Sequence, residues 1–85
     1  MSDLLKFPCE FTIKIVGAEQ ANVEEIAVPI LQKNDVDIET IKITTKQSST
    51  GKYTSLTVIM NVDSKEQLDN IYRELSSHSQ ISMVL

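Results

Sequence analysis

The sequence predicts an α+β domain of the ferredoxin-like βαββαβ class: a four-stranded antiparallel sheet with two helices on one face. Four segments alternate apolar and polar residues, as strands do, and two segments repeat apolar residues at spacings of three and four, as helices do. Two interleaved crossovers of the usual right hand predict the strand order 4-1-3-2. The 85 residues suit one domain, 1–85, with residues 1–10 as an N-terminal lead.

The first predicted strand covers residues 11–16 and ends at Gly17. Helix one is predicted over 22–33, with Asn22 as its N-cap. The apolar stripe of this helix consists of Val23, Ile26, Ala27, Ile30 and Leu31. Pro29 lies inside that stripe, so we expect a bend near residues 25–29. Asn34 is expected in the left-handed conformation that often follows a helix.

The second strand is predicted over 38–46, where Ile38 has the wrong parity and either precedes the strand or marks a bulge. Residues 47–52 form a polar turn that two antiparallel strands can flank. The third strand is predicted over 53–62. Its buried face is expected to carry Leu56, Val58, Met60 and Val62.

Ser64 and Gln67 match a capping box at the start of helix two. Apolar residues then follow at helical spacing: Leu68, Ile71, Tyr72 and Leu75. The serine-rich segment 76–79 is expected to end the helix. A fourth strand is predicted to run to residue 85, and its every second residue, Ile81, Met83 and Leu85, is expected on one face.

Composition favours a soluble, cytoplasmic protein. A net charge of −4 disfavours phosphate-backbone binding, and the single cysteine, Cys9, cannot form an internal disulfide. No apolar run suits a signal peptide or a membrane helix, so no membrane partner is expected.

No residue pattern indicates catalysis, a cofactor or a metal. His78 lies in the serine-rich turn after helix two, and Cys9 has no basic cluster near it in the sequence. One cysteine and one histidine far apart do not make a ligand set. We therefore predict that the chain is not an enzyme.

The candidate site lies on the sheet face that the helices leave open. Lys14, Lys46 and Tyr53 should point away from the helices, and Ser48 and Ser49 belong to the neighbouring turn. One interpretation is a solvated face whose lysines protect an edge strand from aggregation. The other is a surface that binds a partner or an anion.

RNA binding is a further alternative, because RRM domains share the βαββαβ order and stack bases on aromatic residues of this face. Gly51-Lys52-Tyr53 is similar to the opening of the RRM signature on strand three. However, residues 55 and 57 are Ser and Thr, and one exposed ring on an acidic protein argues against an RNA platform.

Three blocks of sequence resemble the YbeD-like family of small bacterial proteins. The first comprises Leu4-Leu5-Lys6-Phe7-Pro8, Phe11-Thr12, Lys14 and Gly17. The second comprises Lys46, Ser48-Ser49, Gly51, Tyr53, Ser55 and Asn61, and the third Tyr72, Glu74-Leu75 and Met83-Val84-Leu85. Residues 18–45 match least.

This resemblance implies an ACT-like fold. ACT-type modules pair into dimers and often bind a small ligand near the loop after strand one, where Gly17 lies. We therefore expect a non-enzymatic ACT-like regulatory or protein-interaction module, which self-associates, for example as a homodimer, or binds a protein partner. The alternative is a domain that senses an amino acid or another metabolite as a small-molecule effector near Gly17.

Overall fold

The computed structural model describes residues 6–18 and 22–85. The elements follow the predicted order: β1 (Cys9–Ala18), α1 (Val23–Lys33), β2 (Lys42–Gln47), β3 (Tyr53–Val62), α2 (Lys65–Ser77) and β4 (Ile81–Val84). The sheet has the order β2-β3-β1-β4, with every neighbouring pair antiparallel. Read from the other edge, this is the predicted order 4-1-3-2, so the fold class is confirmed.

Both helices cover the sheet face that carries the buried strand residues. One hydrophobic core joins the two layers, and it draws on every strand except β2, which only packs against its rim. Phe11 of β1 contributes to the sheet-to-helix packing through an edge-on contact with Tyr72 of α2, with ring centroids 6.3 Å apart. The opposite face of the sheet carries no helix among the described residues.

β1 is longer than predicted at both ends. It starts at Cys9, inside the predicted lead, and passes through Gly17 to Ala18. The reason is its partner: β3 offers a pairing residue for every position of β1, from Val62 opposite Cys9 to Tyr53 opposite Ala18. Gly17 therefore does not end the strand. Residues 1–5 of the lead lie outside the described residues.

The start of α1 and its end at Lys33 are confirmed, but the conformation expected for Asn34 is wrong. The Oδ1 atom of Asn22 accepts a hydrogen bond from the Glu25 N–H at 3.2 Å, as an N-cap does. Asn34 is not left-handed, since its φ is −98°. Its N–H still donates to Ile30 O at 3.2 Å, so the chain reverses one residue later, at Asp35, whose φ is 67°. The predicted bend around Pro29 stays a prediction.

β2 is shorter than predicted because a turn precedes it. Asp37 accepts hydrogen bonds from Glu39 N at its side chain and from Thr40 N at its carbonyl, both at 3.0 Å. Ile38 lies inside this turn, so the first of the two interpretations of its parity holds, and β2 starts only at Lys42. β3 has the predicted bounds, and its four predicted core residues are buried.

The capping box of α2 differs from its predicted geometry at one of its two bonds. Ser64 Oγ accepts from Gln67 N at 3.1 Å, as predicted. Gln67 Oε1 accepts from Asp63 N at 2.6 Å instead of from Ser64 N. The other side-chain atom explains this orientation, because Gln67 Nε2 donates to Asn34 O at the end of α1, at 2.7 Å. The helix ends at Ser77, inside the predicted serine-rich stop.

β4 contains a bulge that reverses the side-chain pattern expected for its second half. Val16 pairs with Met83 but Gly17 pairs with Ile81, so Ser82 has no partner on β1. One extra residue turns the following side chains to the other face. Ile81 is buried, whereas Met83 and Leu85 are exposed. The prediction that Ile81, Met83 and Leu85 share a face is therefore wrong.

Candidate functional site

The open face is the sheet surface opposite the helices, and strand register determines which side chains it displays. Between β1 and β3, the cross-strand pairs on this face include Lys14 with Thr57 and Val16 with Ser55. The face extends to Lys46 on β2, which pairs with Ser55. On the other side it extends to Met83, opposite Val16. One row thus crosses all four strands: Lys46, Ser55, Val16 and Met83.

An open concavity of about 430 Å³ lies at the hairpin end of this face. All five residues predicted for the partner or anion surface line it: Lys14, Lys46, Ser48, Ser49 and Tyr53. Three further residues, Val16, Gln47 and Ser55, complete the lining. The sequence pattern placed Ser55 on the open face without assigning it to the site, and it missed Val16, although the strand parity that placed Lys14 also places Val16.

The concavity is cationic within an acidic protein. Its lining contains two lysines and no carboxylate. The ion pairs in the described part of the chain lie on the helices, where Lys33 contacts Glu74 at 3.2 Å and Lys65 contacts Asp69 at 2.9 Å. Within residues 6–18 and 22–85, neither Lys14 nor Lys46 forms an ion pair with another residue. Their ammonium groups are available to an external anion.

The hairpin residues divide into those that hold the turn and those that do not. Ser48 Oγ accepts from Tyr53 N at 3.2 Å and lies 3.3 Å from Thr50 Oγ1. Ser55 Oγ donates to Lys46 O at 3.3 Å. By contrast, the hydroxyls of Ser49 and Tyr53 make no hydrogen bond to the part of the chain that the structure describes. These two hydroxyls can donate to a bound group.

Large apolar side chains are exposed beside the lysines. Tyr53, Met83 and Leu85 are 49%, 50% and 59% exposed, and they are the large hydrophobic side chains that the described residues leave exposed. Tyr53 lines the concavity and Met83 lies opposite Val16, another lining residue. Leu85 exchanges two backbone hydrogen bonds with Lys14, at 2.9 and 2.8 Å. The sequence could not indicate the second and third of these residues, because the bulge at Ser82 sets their orientation.

Gly17, the residue of the predicted ligand loop, is separate from this group. It is buried in β1 with the alternation that faces the helices. A second concavity, of about 500 Å³, is lined by the start of α1, and Gly17 does not line it. Most of the loop between Gly17 and Asn22, residues 19–21, lies outside the described residues. A ligand at Gly17 stays a prediction.

Chemistry elsewhere in the described residues is limited to structural contacts. Within the described ranges, 6–18 and 22–85, no group of three or more His, Cys, Asp or Glu side chains could hold a metal ion. His78 caps the end of α2, where its Nδ1 accepts from Gln80 N at 3.2 Å, and Cys9 is half-buried in β1. None of the described helices has the length and apolar character needed to cross a bilayer.

Sequence comparison gives consistent matches along the whole chain. A family model described as "Protein of unknown function (DUF493)" matches residues 2–85. A UPF0250 protein of Paraburkholderia phytofirmans is 40% identical over 82 residues, which cover 96% of this chain and 92% of the relative. A UPF0250 protein of Neisseria meningitidis is 40% identical over 84 residues, which cover 99% of this chain and 92% of the relative.

Two solved structures share the fold at low sequence identity. The solution structure of protein HP0495 from H. pylori superimposes with a TM-score of 0.75 and 17% identity, covering 95% of this chain and 85% of that one. The ACT domain from the GTP pyrophosphokinase of Chlorobium tepidum superimposes with a TM-score of 0.67 and 16% identity, covering 89% and 94%. The ACT-like fold expected from the sequence is therefore confirmed.

Proposed function

The chain belongs to the DUF493 family of unknown function, to which the UPF0250 and YbeD-like bacterial proteins correspond, and we propose that it is a non-enzymatic interaction module. Its partner binds the open face at the concavity between β1, β3 and the β2–β3 hairpin. The module acts by holding that partner and performs no chemistry on it.

One observation carries this proposal: unpaired cationic and hydroxyl donors gather around one concavity. Lys14, Lys46, Ser49 and Tyr53 come from β1, β2, the hairpin and β3, and none of them is needed to fill the core. Functional residues typically occupy such loop and strand-end positions on a rigid scaffold. The sheet beneath is such a scaffold, because inward residues of β1 and β3 such as Ile15 and Leu56 are fully buried.

The chemistry of the concavity favours an anionic group on the partner. Two ammonium groups and two hydroxyls donate hydrogen bonds, and a carboxylate or a phosphate accepts several at once. Each exposed charge pair contributes only about 0.2–1 kcal/mol, so the lysines alone orient and steer more than they hold. Affinity must come from further contacts on the same face.

Photo-crosslinking in cells tests the proposed interface. A benzophenone amino acid replaces Thr44, which is exposed on β2 two residues before Lys46, and in a control chain it replaces Gln32, which is exposed on α1. We expect a discrete adduct from position 44 and none from position 32. The adduct should disappear in the Lys46→Gln, Tyr53→Ser double variant. Adducts from the helix side alone, or no adduct at all, would refute the proposal.

A small-molecule effector is the second candidate, because the concavity has the volume of ligand pockets, which span about 300–1,000 Å³. Thermal shift with a panel of amino acids and carboxylate metabolites tests it. A ligand at about 100 times its Kd stabilises the folded state by about 2.7 kcal/mol. We expect the shift to be lost in Lys46→Gln if the ligand occupies this concavity. A shift that Lys46→Gln leaves unchanged would assign the ligand to another site, such as the Gly17 region.

A further inference from the structure

The open face changes character from one edge of the sheet to the other. The outward residues of β2 include Lys42 and Lys46, and those of β4 and its end are Met83 and Leu85. Lys14 and Val16 lie between them on β1. Along the row that joins Lys46 to Met83, the face is therefore basic at the β2 edge and apolar at the β4 edge, while Lys14 lies beside Leu85.

On the basis of the proposed function, we infer that the partner contributes a short protein segment, which lies across the strands of the open face. Its carboxylates lie over Lys46, and its apolar side chains lie over Val16, Met83 and Leu85. An anion alone leaves the apolar side chains uncovered, and a purely apolar segment leaves the lysines without a counter-charge. A partner that covers both halves of the face therefore needs both kinds of group.

The sheet geometry sets the length of this segment. Lys46 and Met83 lie in one row that crosses four strands, so their backbones are three strand spacings, or about 14 Å, apart. A helix spans that distance with about 10 residues and an extended chain with about four or five. The carboxylates therefore group toward one end of the segment and the apolar residues toward the other.

A second copy of this chain fits the face less well than such a segment. In a two-fold contact between open faces, the lysines of one copy meet either the lysines or the apolar residues of the other. Among the described outward-facing strand residues, the one carboxylate is Glu10, far from the concavity and opposite Asn61. The first arrangement sets like charges together and the second desolvates lysines without a counter-charge.

Selection from a random peptide display library, with the folded chain as bait, tests this inference. We expect selected peptides to group Asp and Glu toward one end and apolar residues toward the other. In anisotropy measurements with synthetic copies, Lys46→Gln and Met83→Ser should each weaken binding by about tenfold or more. Leu85→Ser is the second apolar variant, in case Met83→Ser lowers the unfolding midpoint. Lys65→Gln, which removes a lysine from α2, is the matched control and should bind as the wild type does.

Several outcomes would overturn the inference, and they are distinguishable from failure of the proposed function. If the selected peptides were acidic without apolar residues, or if Met83→Ser left binding unchanged, the site would bind an anionic group alone. The position-44 crosslink would still form in that case, so the proposed function would stand. If a polyuridine oligonucleotide displaced the peptides, and Lys46→Gln but not Met83→Ser weakened its binding, the face would be assigned to RNA. A homodimer that Met83→Ser dissociates, measured by sedimentation equilibrium, would assign it to a second copy. Failure to select any peptide contradicts the inference as well.

Discussion

Asn34 joins the two helices at the C-terminal end of α1. Its Nδ2 atom donates to Ile30 O at 2.8 Å and to Glu74 Oε1 at 3.0 Å. Its carbonyl accepts from Gln67 Nε2 at 2.7 Å. The side-chain amide of Asn34 thus satisfies the end of α1 and holds Glu74, while its backbone carbonyl holds Gln67, and the left-handed conformation falls one residue later, at Asp35.

The contact with Asn34 gives a pH-dependent prediction. The hydrogen bond from Asn34, followed by that from Lys33, holds the pKa of Glu74 below its ordinary value of 4.5. A depressed pKa in the folded state means that the carboxylate stabilises the fold above pH 4.5 and that this contribution is lost as the pH falls through the folded-state pKa. The Asn34→Ala variant should therefore raise the pKa of Glu74 toward 4.5, as measured by NMR titration of its carboxyl carbon.

Lys33→Gln is the matched control for that titration. It removes the ion pair but keeps the Asn34 amide, so the pKa of Glu74 should rise here through the loss of the Lys33 hydrogen bond and charge alone. A pKa of Glu74 that Asn34→Ala leaves unchanged would contradict the assignment, because the Lys33 contact alone would then account for the lowered pKa.

Strand parity gives a second prediction at single residues. Val58 is fully buried, and it lies between Ile13 and Ile43 on the neighbouring strands. Val58→Asp should unfold the domain, because an unpaired buried carboxylate costs several kcal/mol of a total stability of about 5–15 kcal/mol. Thr57→Asp, one position along on the open face beside Lys14, should unfold at nearly the wild-type urea midpoint. An equal loss in both variants would refute the register.

At the scale of elements, β4 is the strand whose pairing depends on an irregularity. Ser82 has no partner on β1, while Ile81 and Met83 both do. Deleting Ser82 leaves Ile81 opposite Gly17 and Met83 opposite Val16 with regular alternation, so the variant should keep its fold and its unfolding midpoint nearly unchanged. Circular dichroism and urea unfolding measure this outcome.

A deletion inside β3 is the control for that experiment. Removing Thr57 shifts every later β3 residue by one position and turns Val58, Met60 and Val62 away from the core. We expect this variant to be unfolded. If the Ser82 deletion were as destabilising, the unpaired residue would have a structural role that the pairing of β1 with β4 does not reveal.

The sequence predicts elements well where local pattern and tertiary pairing agree. β3 and the first turns of both helices follow from alternation and capping residues, and they are confirmed. β1 extends past Gly17 because of the length of its partner β3, which no local signal of β1 contains. The candidate site shows the same difference. Strand parity predicted that Lys14, Lys46 and Tyr53 share the open face, whereas Met83 lies on that face only because of the bulge at Ser82.

At the scale of the whole molecule, charge is distributed unevenly between the two layers. The net charge is −4, yet the open face carries the lysines of the concavity, while carboxylates such as Glu24, Glu66 and Asp69 lie on the helices. Under the proposed function, such an arrangement favours the approach of an acidic partner to the sheet face over the helix face. The same separation leaves the core independent of the proposed site.

That independence is the last prediction. Lys46 and Tyr53 are both exposed, and neither side chain makes a hydrogen bond to the described residues. Their replacement in Lys46→Gln, Tyr53→Ser should change the free energy of unfolding by no more than about 1 kcal/mol, since each surface substitution typically contributes within ±0.5 kcal/mol. The same variant should lose the position-44 crosslink and the selected peptides. Urea unfolding of the purified variant measures the first effect. A loss of several kcal/mol would mean that these side chains maintain the hairpin, and binding defects of the variant would then report on folding.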